Sequence, residues 1–180
     1  MSQTDLHRYA DIHSHRADKA LSGDTVVSIE PGTPMLPGGT YSVGIHPWST
    51  VLPLMLGQLT ALWHDASDAR CVAVGECGLD ALRGGPEGRQ EAVFALQARM
   101  ADRLGKPLII HCVRRYDRLL ALRRRLRPRV EWIIHGFRGK PALARQLLAA
   151  GISLSLGPRH NPDTAAIIPE HRRYSESDEG

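Results

Sequence analysis

The chain has 180 residues, of which 42% are hydrophobic and 23% charged, and its net charge is +4. That is one domain's worth of globular composition, which excludes global disorder and fibrous repeats, and no window approaches the ~20 apolar residues of a membrane span. The polar start, residues 1–8, lacks the apolar core of a signal peptide, and Cys71, Cys77 and Cys112 each lie in or beside an apolar run, so a cytoplasmic protein with reduced thiols is expected.

Short apolar runs alternate with helical patterns along the whole chain. Eight strands are predicted: Arg8 to His13, Thr25 to Ile29, Tyr41 to Ile45, Cys71 to Gly75, Pro107 to His111, Val130 to His135, Ile152 to Leu156 and Arg173 to Ser177. Between them, Leu52, Met55, Leu59 and Leu62 recur at helical spacing, as do Val93, Leu96 and Met100 before a stop at Gly105. Tyr116 to Leu126 reads as a third helix, and Pro141 to Gly151 as a fourth, with proline just inside and glycine just past its ends. This order predicts an α/β fold, a compact or trimmed (β/α)8 TIM-type barrel forming a single domain over 1–180. Segments 16–24 and 30–40 are too short and too rich in Gly and Pro for full helices, and no helix follows the eighth strand. Such a barrel is expected to bare apolar strand faces unless a protein partner or a second copy covers them.

Polar residues cluster where the strands end. The first strand ends in Asp11-Ile-His13-Ser-His15, and alternation puts both histidines on one side. The third ends in His46-Pro-Trp48, the fourth in Glu76-Cys-Gly-Leu-Asp80, the fifth in His111, the sixth in His135-Gly-Phe137 and the eighth in Glu176-Ser-Asp178. In a parallel barrel these ends converge on one mouth, where active sites form. Imidazoles and carboxylates together suit Zn, Mn or Fe, with Mg less suited to so many nitrogens. Cys112 directly follows His111 and is expected to turn into the core, as is Cys77 beside Glu76.

The segments DIHSH, SVGIHPW, VAVGECGLD, KPLIIHCVRRYD, WIIHGFRG and YSESDEG occur in an order that resembles the TatD family of metal-dependent hydrolases, in its small GIHPW-type form. The resemblance implies that His13 and His15 hold one ion and His111 and His135 another. It places Glu76 between two divalent ions (Zn, Mn or Mg), and has Asp178, in an ESD version of the family's ETD motif, contact a metal and handle the proton of the attacking water. Glu76 and Asp178 are then the catalytic pair. The loops after strands one and two are shorter than in full-length family members.

Arginine supplies 20 of the 23 basic residues. Arg123, Arg124, Arg125, Arg127 and Arg129 belong at the bottom of the barrel, as a solvated or partner-binding face. Arg16, Arg114, Arg115, Arg138 and Arg159 follow strands at the mouth, where guanidinium forks suit phosphate; Arg114 is the first choice, with Arg16 and His46 as further substrate contacts. Trp48 and Phe137 either stack on a base or pack the rim. The expected function is a metal-dependent phosphodiesterase acting on DNA or another phosphodiester, with no membrane partner. The alternatives are hydrolysis of a non-nucleic ester or amide, or service as a barrel subunit within a larger assembly.

Overall fold

The computed structural model describes residues 5–178. Eight parallel strands follow one another around a single sheet: β1 Asp11–Ser14, β2 Thr25–Ile29, β3 Tyr41–Val43, β4 Cys71–Asp80, β5 Leu108–Val113, β6 Trp132–Ile134, β7 Ile152–Leu156 and β8 Arg173–Ser175. The sheet rolls into a nearly closed barrel. At the seam between β8 and β1, the amide of Asp178 donates to the His13 carbonyl at 3.0 Å. Beside it, Asp11 accepts from the Ser177 amide at 3.1 Å and from the Ser177 hydroxyl at 2.6 Å.

The helices α1 Leu56–Ser67, α2 Glu87–Leu104, α3 Tyr116–Leu126, α4 Pro141–Ala149 and the short α5 Pro162–Ala165 lie outside the sheet. Two apolar sets follow from strand alternation. Ile12, Val26, Ala73, Ile109, Ile133 and Tyr174 meet inside the barrel, with Leu6 among them. Their neighbours Val27, Val43, Val74, Leu108, Ile110, Trp132, Ile134 and Leu154 face the helices.

Several boundaries differ from the sequence reading. The first helix begins at Leu56, because Pro53 forces Leu52 into extended backbone (φ −102°, ψ 156°) and leaves Leu52 and Met55 exposed. Leu96 turns partly outward, while Val93 and Met100 are buried. The first strand starts at Asp11, after a 3-10 turn at Leu6–Arg8, and the fourth runs on to Asp80. The third stops at Val43, and Ile45 is held instead by a buried side chain, Gln97, which accepts from its amide at 2.8 Å and donates to its carbonyl at 3.0 Å.

Among the described residues, the β2 side of the barrel is covered without a full helix. β2 is buried at four of its five positions. A 3-10 helix at Ala17–Leu21 contributes Ala20 to the core, and Met35 in the loop that follows β2 packs against it. Compact irregular segments cover this side from within the chain. The basic run is not uniform either. Arg123 is half-buried, donating to the carbonyls of Ala150 and Gly151 at 3.2 Å each and lying 5.3 Å from the Trp132 ring. No helix among the described residues is long and apolar enough to cross a membrane.

Candidate metal centre

Glu76 is the hub of the mouth. Its Oε1 lies 3.0 Å from His46 Nε2, 2.9 Å from His111 Nδ1 and 2.8 Å from His135 Nε2. Its Oε2 lies 3.3 Å from both His13 Nε2 and His15 Nε2. Five imidazoles from four strand ends thus surround one buried carboxylate. Asp178 Oδ1 stands 3.8 Å from His13 Nε2, at the more open edge.

Two backbone irregularities aim these groups. In β1 the pairing with β2 shifts between Asp11 and Ser14, and in β4 the pairing with β5 shifts between Val74 and Cys77. Strict alternation from Ile12 and Ala73, which point inward, would send His13 and Glu76 outward. The shifts reverse that parity, as bulges near active sites commonly do. Cys77 moves correspondingly into the outer core. From Glu76 onward alternation resumes, so Gly78 and Asp80 share its face. Gly78 (φ +157°) is required there, because a Cβ would strike the His111 carbonyl.

A further layer orients the ligands. Asp80 Oδ2 accepts from Trp48 Nε1 at 2.7 Å and lies 3.1 Å from His111 Nε2. Glu176 Oε1 accepts from the Gly136 amide at 2.6 Å and lies 3.5 Å from His135 Nδ1. Burial acts to raise the Glu76 carboxyl, but the imidazoles around it, His135 foremost, hold it far below the ordinary carboxylate range. Burial lowers His13, reinforced by His135. His15 is raised, chiefly by its bond to Glu76. Burial also opposes the charge on Asp80, and the hydrogen bonds from Trp48, Leu82 and His111 outweigh it.

The residues fit divalent cations. Both ring nitrogens of His13, Nδ1 of His135 and Oε2 of Glu176 are buried without a hydrogen-bond partner, a costly condition that a cation relieves. Among the described residues, four sets of three donors lie close enough to share an ion: His13–His15–Asp178, His13–Glu76–His135, His46–Glu76–His111 and His135–Glu176–Asp178. Nitrogen and carboxylate oxygen donors together favour Zn or Mn over Ca.

A family model, TatD-related DNase, matches residues 36–179. The chain belongs to that family. Among curated TatD relatives, the protein of Cronobacter sakazakii, named 3'-5' ssDNA/RNA exonuclease TatD, is 34% identical over 140 residues, covering 71% of this chain and 51% of its own length. The protein of the same name from Klebsiella pneumoniae is 32% identical over 125 residues, 64% of this chain and 44% of its own. The chain spans about half the length of these relatives. The crystal structure of YJJV, a TatD homologue from Escherichia coli K12, superposes with a TM-score of 0.78 at 23% identity, covering 97% of this chain and 80% of the other. A TatD-family hydrolase from Entamoeba histolytica gives a TM-score of 0.72 at 17% identity, covering 98% and 75%. These likenesses carry the barrel fold.

Within this TatD-family barrel, the structure brings His13, His15, Glu76, His111, His135 and Asp178 together. His46, expected to touch substrate, lines the cavity at the mouth and also sits against Glu76 among the possible ligands. The mouth opens into a cavity of about 400 Å³ whose wall includes His15, Glu30, Trp48 and Asp178. Neither Arg114 nor Arg16 is in its lining. Arg114 stands exposed just past β5 with φ +52°, and Arg16 pairs with Asp18 at 2.7 Å. Arg115 is engaged by Glu87 at 3.0 Å. Phe137 is buried in the core and packs there, whereas Trp48 is 44% exposed. Sequence reasoning gave no role to Asp80 or Glu30. Counting in twos from Glu76 reaches Asp80, and Glu30 follows the last residue of β2, at the same end as every ligand.

Proposed function

We propose that this chain is a single-domain, metal-dependent phosphodiesterase that cleaves nucleic acid strands with an activated water. The observation that carries the reading is the carboxylate of Glu76 ringed by five imidazoles at the C-terminal mouth of a TatD-family barrel. The curated relatives' name as 3'-5' ssDNA/RNA exonucleases supports a single-stranded substrate.

His13, His15, Glu76, His111, His135 and Asp178 would hold two divalent ions, with His46 as a further donor. Bound there, Zn or Mn supplies Lewis-acid chemistry, acidifying a water and offsetting charge on a phosphoryl oxygen. The protein's own residues do the rest. Glu76, kept ionised by its imidazoles, is a fixed negative centre. Among the carboxylates of this cluster, Asp178 is the one open to solvent, with 31% of its side chain exposed against 6% for Glu76 and none for Glu176, so it accepts the proton of the attacking water. Trp48 forms an aromatic wall against which a base can stack. A cavity of about 400 Å³ suits a single nucleoside. No serine or cysteine nucleophile is needed. The buried thiols fit a reducing, cytoplasmic setting.

The test is hydrolysis of labelled single- and double-stranded DNA and RNA with added Mg, Mn or Zn, beside His111→Ala and Asp178→Asn. Metal-dependent cleavage lost in both variants is expected. A folded wild-type protein that cleaves none of them in any metal overturns the reading.

A further inference from the structure

The mouth has a second compartment. A cavity of about 190 Å³ opens at the ends of β6, β7 and β8, and Asp178 is the single residue it shares with the wide cavity. The two differ in charge. The wide cavity is lined by Glu30, Trp48 and serines and contains no arginine. The small one is rimmed by Arg138, from the segment after His135, and Arg159, from the segment after β7. Both side chains are exposed, and among the described residues neither forms an ion pair. Its carboxylates are already engaged: Glu176 accepts from the Gly136 amide at 2.6 Å and faces His135, and Asp178 belongs to the metal cluster.

Gly136 lines the compartment with φ +58°, a left-handed backbone that favours glycine. The compartment is a small recess with two guanidinium groups at its rim, one residue away from the cluster that would hold the scissile phosphate.

We propose that Arg138 and Arg159 form a second phosphate site, which binds the phosphodiester adjoining the one being cleaved. The terminal nucleoside occupies the wide, arginine-free cavity, and the rest of the strand leaves past the two arginines. Guanidinium forks match phosphate oxygens in geometry and charge. The inference rests on the nuclease reading and deepens it: the preferred substrate is a strand with at least two phosphodiesters.

The experiment compares wild type with the double variant Arg138→Gln/Arg159→Gln on two substrates. One is the dinucleoside monophosphate dTpdT, which carries only the scissile phosphate; the other is a fluorescent dT octamer. Both side chains are exposed, so the variant folds, which a melting curve checks. On the octamer kcat/KM falls tenfold or more; on dTpdT it stays within twofold. Anisotropy titrations of the octamer in EDTA, across a salt series, give the readout independent of turnover. There the variant binds more weakly, and its slope of log affinity against log salt is shallower by about 0.7, the value for one single-strand phosphate contact. Arg125→Gln, on the far face, leaves that slope unchanged. An octamer affinity and slope equal to wild type, or equal losses on both substrates, overturns the second site. A wild type that cleaves neither substrate defeats the nuclease reading alone, and the EDTA titration still decides whether the arginines bind phosphate.

Discussion

Asp80→Asn isolates the layer behind the ligands. Four N–H groups converge on the Asp80 carboxylate. Oδ2 takes Trp48 Nε1 at 2.7 Å and His111 Nε2 at 3.1 Å; Oδ1 takes the amides of Leu82 at 2.7 Å and Arg83 at 3.2 Å. With Nε2 donating, His111 presents the lone pair of Nδ1 toward Glu76, which is the tautomer a metal ligand needs. An asparagine has one acceptor oxygen. Whichever way its amide turns, the NH2 group opposes either the Trp48–His111 pair or the Leu82–Arg83 pair. Outer partners of ligating histidines are typically worth 10–100-fold in affinity or activity, about 1.4–2.7 kcal/mol. We therefore expect Asp80→Asn to weaken Mn or Zn binding, measured by competition with a chromophoric chelator, by 10–100-fold, with a parallel fall in kcat/KM. The metal-free melting curve establishes that the variant is folded. A folded variant that binds metal within twofold of wild type refutes the argument that Asp80 fixes the His111 tautomer.

Metal itself should stabilise the fold. At 100 times Kd the gain is about 2.7 kcal/mol, hence a rise in Tm of about 5–10 °C for a chain of this size, and His13→Ala should abolish it; no rise with Zn, Mn or Mg would remove the metal assignment. Gln97→Leu strips the Ile45 amide and carbonyl of their buried partner. A cost of about 1–3 kcal/mol for each orphaned group should lower Tm by at least about 4 °C, and an unchanged melting curve would show that Ile45 finds other partners. The thiols should be inert in the native protein. Burial pushes Cys71 up to about 11 and Cys112 to about 12, and Cys77 is raised as well. Titration with a thiol reagent at pH 8 should therefore give three equivalents only after denaturation; rapid labelling of the folded protein would contradict the burial.

Much of this was legible in the residue order. Apolar runs of strand length alternating with helical periods prescribe a parallel barrel, since each strand must be followed by a crossover. β2 and β7 match the predicted bounds, and so does α3. The polar residues that close the strands are gathered at one mouth for the same reason: parallel strands all end on the same side. Glu176 and Asp178 lie at that mouth because they follow β8, which runs parallel to β7 and ends beside β1.

Tertiary structure decided what depends on a departure from regular geometry. Alternation by twos cannot place Ile12 and His13, or Ala73 and Glu76, on one side of the sheet, and only the register shifts in β1 and β4 do so. Leu52 and Met55 fit the helical period but lie outside the helix, because Pro53 stops it locally. Phe137 and Trp48 both follow strand ends, yet one is buried among the helices and the other walls the cavity. The arginines illustrate the same limit: sequence assigns five of them to the mouth, but Arg16 pairs with Asp18, Arg115 pairs with Glu87, and neither these two nor Arg114 lines the wide cavity. Position along the chain fixes which end of the barrel a residue occupies. Which way its side chain turns, and which partner claims it first, is set by neighbours that are distant in sequence, and the three-dimensional contacts alone contain that information.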